Sequence, residues 1–326
     1  MQYRKLGKTS WMVSEIGFGA WGIGGGWGAR DDEEALRALE RAFDLGVNFV
    51  DTAHGYGDGH SERLVAKAVK RCPNRIYVAT KVPPKNFRWP ASPDIPVTET
   101  FPVDWVIKCA EESLQRLETD CIDLLQLHAW ADTYNEQLDW YEALMKLREQ
   151  GKVRFFGVSI NDRDPDSALR LVESGRVEAI QLIYNIFHQA PQEKLFPLAI
   201  KHDVGIIVRV PLEEGALTGK LRPGVTFHPD DWRKDYFTEE WLREIAERVD
   251  KLSFLIRDEI KTIAQAALKF CLSHPAVSTV IPGMRTVAHV EENVAVSDGI
   301  LLKPEELERL KAHDWPHGVE YPWAAV

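Results

Sequence analysis

The sequence predicts an α/β fold: a (β/α)8 TIM barrel with an N-terminal β-hairpin and a long loop after the seventh strand. Three observations lead there. Short apolar, β-favouring runs alternate eight times with amphipathic helical stretches, the pattern of a parallel sheet whose strands are joined through helices. The length of 326 residues suits eight such units as one domain, 1–326. Three successive strands also deliver Asp51 with Tyr56 beyond it, then Lys81, then His128, at or just past their carboxyl ends. In parallel barrels that is the face that carries the active site.

Taken in order, residues 3–16 read as a hairpin turning at 7–10. The first strand, 16–20, runs into a glycine-rich stretch, 21–28, read as a loop. It is not a dinucleotide fingerprint, because no helix opens within it. Trp21 and Trp27 in this stretch point to a ligand-site wall. Asp31 and Asp32 start a helix over 33–45, stopped by Gly46. The second strand ends at Asp51, and Gly55, Gly57 and Gly59 follow before a helix at 61–70 with Ser61 as its N-cap. The third strand, 75–81, precedes a loop at 83–102 too long for a plain connection and read as a binding rim.

A helix at 103–118, a fourth strand at 121–128 and a helix at 135–149 continue the alternation. The fifth strand (153–159), its helix (165–173), the sixth strand (179–183), a helix at 191–202 and the seventh strand (205–210) follow. After Pro211 the rhythm breaks. Residues 211–257 are expected to cross the barrel mouth as a strap before the seventh helix, 259–273. The eighth strand (277–281), a helix near 286–297, a further helix at 304–313 and a tail with Trp315 and Trp323 complete the chain.

Forty basic against fifty acidic residues leave a net charge of −10 with no dense basic run, which argues against nucleic acid and anionic membrane as partners. Cys72, Cys109, Cys121 and Cys271 are scattered, so they read as reduced thiols in a cytoplasmic protein rather than zinc ligands, and no metal is expected. No apolar run has the length of a membrane span, and the first residues lack a signal peptide's apolar core. The expected partner is a small molecule. The sequence is silent on oligomeric state.

Singly, Asp51 reads as a turn cap, Lys81 as a solvated strand end and His128 as a core histidine. Together on one face they constitute a charge anchor, an ammonium, a phenol and an imidazole. One chemistry open to them is Schiff-base formation on Lys81, as in aldolase-type barrels.

The segments Asp-Thr-Ala-x-x-Tyr-Gly at 51–57, Thr-Lys at 80–81 and Leu-Leu-Gln-Leu-His at 124–128 recur in a specific order with Gly-Lys-Val-Arg…Gly-Val-Ser at 151–159. Gly…Leu-Thr-Gly-Lys ending at 220 and Ile-Pro-Gly-Met-Arg…Glu-Glu-Asn at 281–293 complete the series. Over essentially the whole chain this resembles the aldo-keto reductase superfamily, in a bacterial-type member. The resemblance implies an oxidoreductase that reduces an aldehyde or ketone to an alcohol by hydride transfer from NADPH, with NADH also accepted. It implies a catalytic tetrad of Asp51, Tyr56, Lys81 and His128. Tyr56 is then the general acid, with a pKa lowered by the Lys81 ammonium, and His128 donates a hydrogen bond to the carbonyl oxygen.

By position, the resemblance implies that Ser159, Asn161 and Gln181 hold the nicotinamide carboxamide, although Ile160 interrupts the family's usual Ser-Asn pair. Arg209 stands where many members stack a tyrosine on the nicotinamide ring. Gly22 and the strap positions Pro211, Leu212, Gly215, Leu217 and Lys220 fall on the cofactor path. Gly283, Arg285, His289, Glu292 and Asn293 would take the adenosine end, with Arg285 on the 2′-phosphate. His289 stands where many members carry a second arginine, which predicts looser discrimination against NADH. Trp21, Trp27, Trp89 and Trp130 are expected to line the substrate pocket. Some relatives accompany ion channels, so a nicotinamide-binding redox sensor or regulatory barrel with slow turnover is the remaining alternative.

Overall fold

The computed structural model describes residues 1–317; Trp323 lies outside the described residues. The hairpin pairs β1 (Tyr3–Lys5) antiparallel to β2 (Met12–Ser14), with Tyr3 opposite Ser14. Eight parallel strands follow in chain order: β3 (Phe18–Gly19), β4 (Phe49–Asp51), β5 (Tyr77–Val82) and β6 (Ile122–Leu127). Then come β7 (Val153–Ser159), β8 (Ala179–Ile183), β9 (Gly205–Arg209) and β10 (Val277–Val280). The sheet curls until its edges meet. Ile16 pairs with Val280 and Gly19 with Gly283 in parallel bridges, and the Gly17 N–H donates to the Val280 carbonyl at 2.8 Å. Among the described residues, closure leaves neither edge strand of this eight-stranded sheet open.

Side-chain alternation along these strands divides the apolar residues into two layers. Val50, Leu125, Ile180 and Ile206 face outward into a core shared with the surrounding helices. Phe49, Ala79, Leu124, Ala179 and Ile207 face inward, and Leu6 and Val13 of the hairpin join them. Trp11 stacks on Tyr77 at 4.5 Å and meets Phe155 edge-on at 4.8 Å. The hairpin therefore plugs the amino-terminal end of the barrel, and only the carboxyl end is left for a ligand.

The helices lie where the apolar periodicity placed them, with ends shifted by a few residues, most of them inward and that of His60–Arg71 outward. The helix at Asp32–Asp44 buries Ala35, Ala38, Leu39, Ala42 and Phe43, and the Asp31 side chain caps it by accepting from the Glu34 N–H at 2.9 Å. A cap of this kind stabilises a helix by about 1 kcal/mol. Ser61 is not a cap. Gly59 holds that position, and Ser61 sits inside the helix His60–Arg71, its hydroxyl donating to the Ala20 carbonyl at 2.8 Å. The glycine-rich stretch contains one helical turn, Trp21–Gly24, where a loop was expected. Residues between β9 and the helix Ile263–Leu272 form the strap, built from a 3-10 segment at Glu213–Thr218 and helices at Arg233–Tyr236 and Glu239–Asp250.

The plug makes one position unusually intolerant. Gly7 has φ +47°, and a Cβ there would lie 2.3 Å from the Gly205 nitrogen and 2.6 Å from the Asp203 carbonyl oxygen. Gly7→Ala is expected to lower stability by about 2–4 kcal/mol, from backbone strain and overpacking together. A thermal melt checks this, and an unchanged midpoint would mean that the hairpin does not seat against β9.

Candidate active site

The carboxyl ends of the strands converge on a buried ion pair. Lys81, on β5, is 0% exposed. Its ammonium donates to Asp51 Oδ1 at 2.5 Å and to the Thr52 carbonyl at 2.8 Å, with the Tyr56 hydroxyl at 3.4 Å. Asp51, at the end of β4, uses its second oxygen to accept from Gln181 Nε2 at 2.7 Å and from Gln126 Nε2 at 3.2 Å. These partners are what burial demands, since an isolated ion in a barrel core would be too costly to keep charged.

Tyr56 lies in the turn beyond β4, where its N–H donates to the Ala53 carbonyl at 3.1 Å and its carbonyl accepts from Ser61 at 3.2 Å. Lys81 Nζ sits 4.9 Å from the centre of its ring. Withdrawal from water raises the Tyr56 pKa, Lys81 pulls it back, and Asp51 raises it again, so the net direction is upward. The sequence-based expectation was a lowered value. It weighed the ammonium and omitted the desolvation and the carboxylate behind it. The outcome keeps the phenol protonated at neutral pH, the form that gives a proton away.

His128 follows β6, its N–H donating to the Val82 carbonyl at 3.0 Å. Its ring meets that of Tyr56 edge-on at 5.8 Å, and the Trp89 indole N–H donates to its carbonyl at 2.7 Å. Desolvation, Lys81 and Arg209, in that order, hold its pKa well below the ordinary histidine value. It is a neutral imidazole, able to donate one hydrogen bond without carrying charge.

A cavity of about 1210 Å³ opens above this cluster and reaches from Trp89 and Phe87 to the segment around Arg285 and Asn293. Asp51, Tyr56 and His128 line it, as do Gly22, Ser159, Asn161, Gln181 and Arg209. So do Pro211, Leu212, Gly215 and Lys220 of the strap, and Gly283, Arg285, His289, Glu292 and Asn293 at the far end. Trp21, Trp27 and Trp89 are in the wall. Three expected residues are not: Lys81 lies buried behind Asp51 and Tyr56, and Trp130 and Leu217 belong to the core. Trp130 is a core residue, 0% exposed, with its indole N–H on the Ser167 carbonyl at 3.0 Å and its ring against Tyr134 and Trp140. Leu217 is likewise fully buried in the core, away from the wall.

Several of these side chains already have protein partners. The Asn161 amide both accepts from and donates to the Ala91 backbone, at 2.9 Å each way, and so clamps the 83–102 loop. Arg209 donates to the Ile160 carbonyl at 3.0 Å and to the Asp162 carboxylate. Arg285 donates to the Trp27 carbonyl and, at 3.0 Å, to that of Ala29. The helix Val287–Val294 is capped by Thr286, and the Val287 N–H donates to Glu34 at 2.9 Å. Desolvation, then Lys220 and Arg285, lowers the His289 pKa.

The strap contributes residues that the sequence did not single out. Trp232 stacks on Trp21 at 5.8 Å and meets Trp27 edge-on at 5.5 Å, and its N–H donates to the Gly26 carbonyl at 3.1 Å. Trp21 in turn lies over Tyr56 with ring centres 6.2 Å apart. Gln126 was also passed over. A second polar residue in the strand after Asp123, two positions before His128, was the available signal.

Comparisons with known proteins bear on the family and the fold. The model of the Aldo/keto reductase family matches residues 15–314. The chain is 30% identical over 338 residues to the L-galactose dehydrogenase of Arabidopsis thaliana, covering 98% of each. Among solved structures it resembles the glycerol dehydrogenase of Gluconobacter oxydans, with a TM-score of 0.79 and 28% identity over 98% of both chains. It also resembles an aldo-keto reductase from Klebsiella pneumoniae in complex with NADPH, with a TM-score of 0.69 and 25% identity over 98% of both chains.

The depressed His128 pKa has a measurable consequence. Below the ordinary value of about 6.5 the unfolded chain takes up a proton that the folded chain refuses. This histidine therefore subtracts stability as pH falls below that point. Ring ¹⁵N shifts of His128 are expected to be those of a neutral imidazole at about pH 6. Lys81→Met, which removes one of the opposing charges, is expected to move the titration upward. A ring that titrates at the ordinary value would contradict the electrostatics of the site.

Proposed function

The chain belongs to the Aldo/keto reductase family, and on that premise we propose that it is a single-domain, NADPH-dependent oxidoreductase reducing an aldehyde or ketone to the alcohol. The observation that carries the residue assignment is the buried Lys81 ammonium, held between Asp51 and the Tyr56 hydroxyl, both of which line the cavity. Reduction of a carbonyl needs a hydride at carbon and a proton at oxygen. NADPH, when bound, supplies the hydride. Tyr56, kept protonated by its surroundings, supplies the proton. Neutral His128 donates to the carbonyl oxygen as negative charge grows there. Asp51 and Lys81 orient the phenol, and the ammonium stabilises the phenolate left after transfer.

The cavity suits a dinucleotide. Its floor has neutral amide and hydroxyl side chains, Gln181 and Ser159, suited to a carboxamide, and its far end carries Lys220, Arg285 and His289, suited to phosphate. Glu292 and Asn293 at that end would take the adenosine. Schiff-base chemistry is disfavoured, because Lys81 is wholly buried and engaged by Asp51 and Thr52. The aromatic wall of Trp21, Trp27, Phe87 and Trp89 favours apolar or flat carbonyl compounds. We place the protein in the cytoplasm, in keeping with four free cysteines.

Two measurements follow from this reading. Tyr56→Phe keeps the ring and removes only the transferable proton, so carbonyl reduction should fall roughly 10²-fold or more while NADPH binding persists. Near-parental turnover would remove Tyr56 as the acid. Parent kcat/KM should favour NADPH over NADH, and Arg285→Ala should narrow the ratio. An unchanged ratio would leave Arg285 as a clasp for the Trp27–Ala29 backbone alone, and a parent preference for NADH would overturn the cofactor assignment.

A further inference from the structure

We infer that Gln126 is a positioning residue for the proton donor, acting through Asp51; the inference rests on the tetrad reading above. Gln126 lies on β6 directly across from Lys81 in the strand register, and it is 0% exposed. Its Nε2 donates to the Asp51 oxygen that Lys81 does not take. Its own carbonyl oxygen is buried with no hydrogen-bond partner among the described residues. A polar group placed in a barrel core with one end unsatisfied is unfavourable. A leucine would fill the same volume without that cost. The donor end is therefore what the position requires.

The neighbouring strand is shaped to admit it. Gly157 on β7 has no side chain, and a Cβ there would lie 3.1 Å from Gln126 Cγ and 3.0 Å from the Ala179 carbonyl oxygen. Gln126 and Gln181 thus converge on one oxygen of Asp51 from β6 and β8. With Oδ2 occupied by two amides, the carboxylate presents Oδ1 to Lys81 in one orientation. The ammonium is then held where it also reaches Tyr56. Without Gln126, the carboxylate loses one of two restraints against rotation about its side-chain axis.

Two substitutions separate this role from packing. The charged groups that face position 126 are Asp51 on β4 and Lys81 on β5, while β7 offers Gly157 and β8 the neutral Gln181. In Gln126→Glu a protonated carboxyl can donate to Asp51 as the amide does. Once ionised it repels Asp51 and donates nothing. Turnover of NADPH with an aldehyde, relative to parent, is expected to be near parental at about pH 5 and to fall about tenfold or more as pH rises. In Gln126→Met the relative turnover should be about tenfold down or lower at every pH, with NADPH affinity by fluorescence titration unchanged.

A Gln126→Glu ratio depressed equally at every pH, or parental turnover in Gln126→Met, would overturn the inference. The low-pH arm of Gln126→Glu also guards against a misfolded variant, because recovery there requires an intact barrel. Tyr56→Phe measured alongside tells the two readings apart. If it keeps parental turnover, the tetrad reading fails and this one with it. If it is inactive while the Gln126 variants behave as parent, only Gln126 is wrongly assigned.

Discussion

The site depends on one constraint: a lysine and an aspartate are buried together at the carboxyl ends of β4 and β5. Removing each ion from water costs several kcal/mol, and their mutual attraction offsets that only if every remaining valence is met. The Thr52 carbonyl, two glutamine amides and the Tyr56 hydroxyl meet them. The geometry that stabilises the pair is the geometry that aims a phenol into the cavity. The hydrogen bonds that satisfy the pair are also the ones that hold the phenol.

The barrel makes that concentration tolerable by separating its ends. Apolar residues of the hairpin and the inner strand faces fill the amino-terminal half, so packing there is independent of the ligand site. The carboxyl end carries the loops, and two of them meet across the mouth. Trp27 pairs with Asp231 in an antiparallel bridge, Arg233 lies 4.7 Å over the Trp27 ring, and Arg285 reaches the same loop from the far side. The aromatic wall next to Tyr56 is therefore assembled from segments more than 200 residues apart in sequence.

That distance explains what was legible in the sequence and what was not. The eight strands, and Asp51, Tyr56, Lys81 and His128 at their ends, follow from period and position, which are local properties. Which side chain completes which partner is not local. Trp130 looked like Trp89, each an indole in or near a loop after a strand. The chain beyond β6 folds Trp130 back onto Tyr134 and Trp140, whereas Trp89 turns toward His128. Ser61 has a capping side chain, yet Gly59 two residues earlier adopts φ +74° and starts the helix. The raised pKa of Tyr56 required knowing how completely the loop withdraws the phenol from water, and Gln126 required knowing which oxygen of Asp51 was open.

The central claim is that the buried Lys81–Asp51 pair prepares Tyr56 to deliver a proton to a carbonyl reduced by NADPH. The most direct test is a single-turnover experiment on Lys81→Met with saturating NADPH and an aldehyde, following the absorbance of the reduced nicotinamide. Cofactor affinity is expected to be retained while the chemical step slows about 10²-fold or more. A chemical step at the parental rate would contradict it.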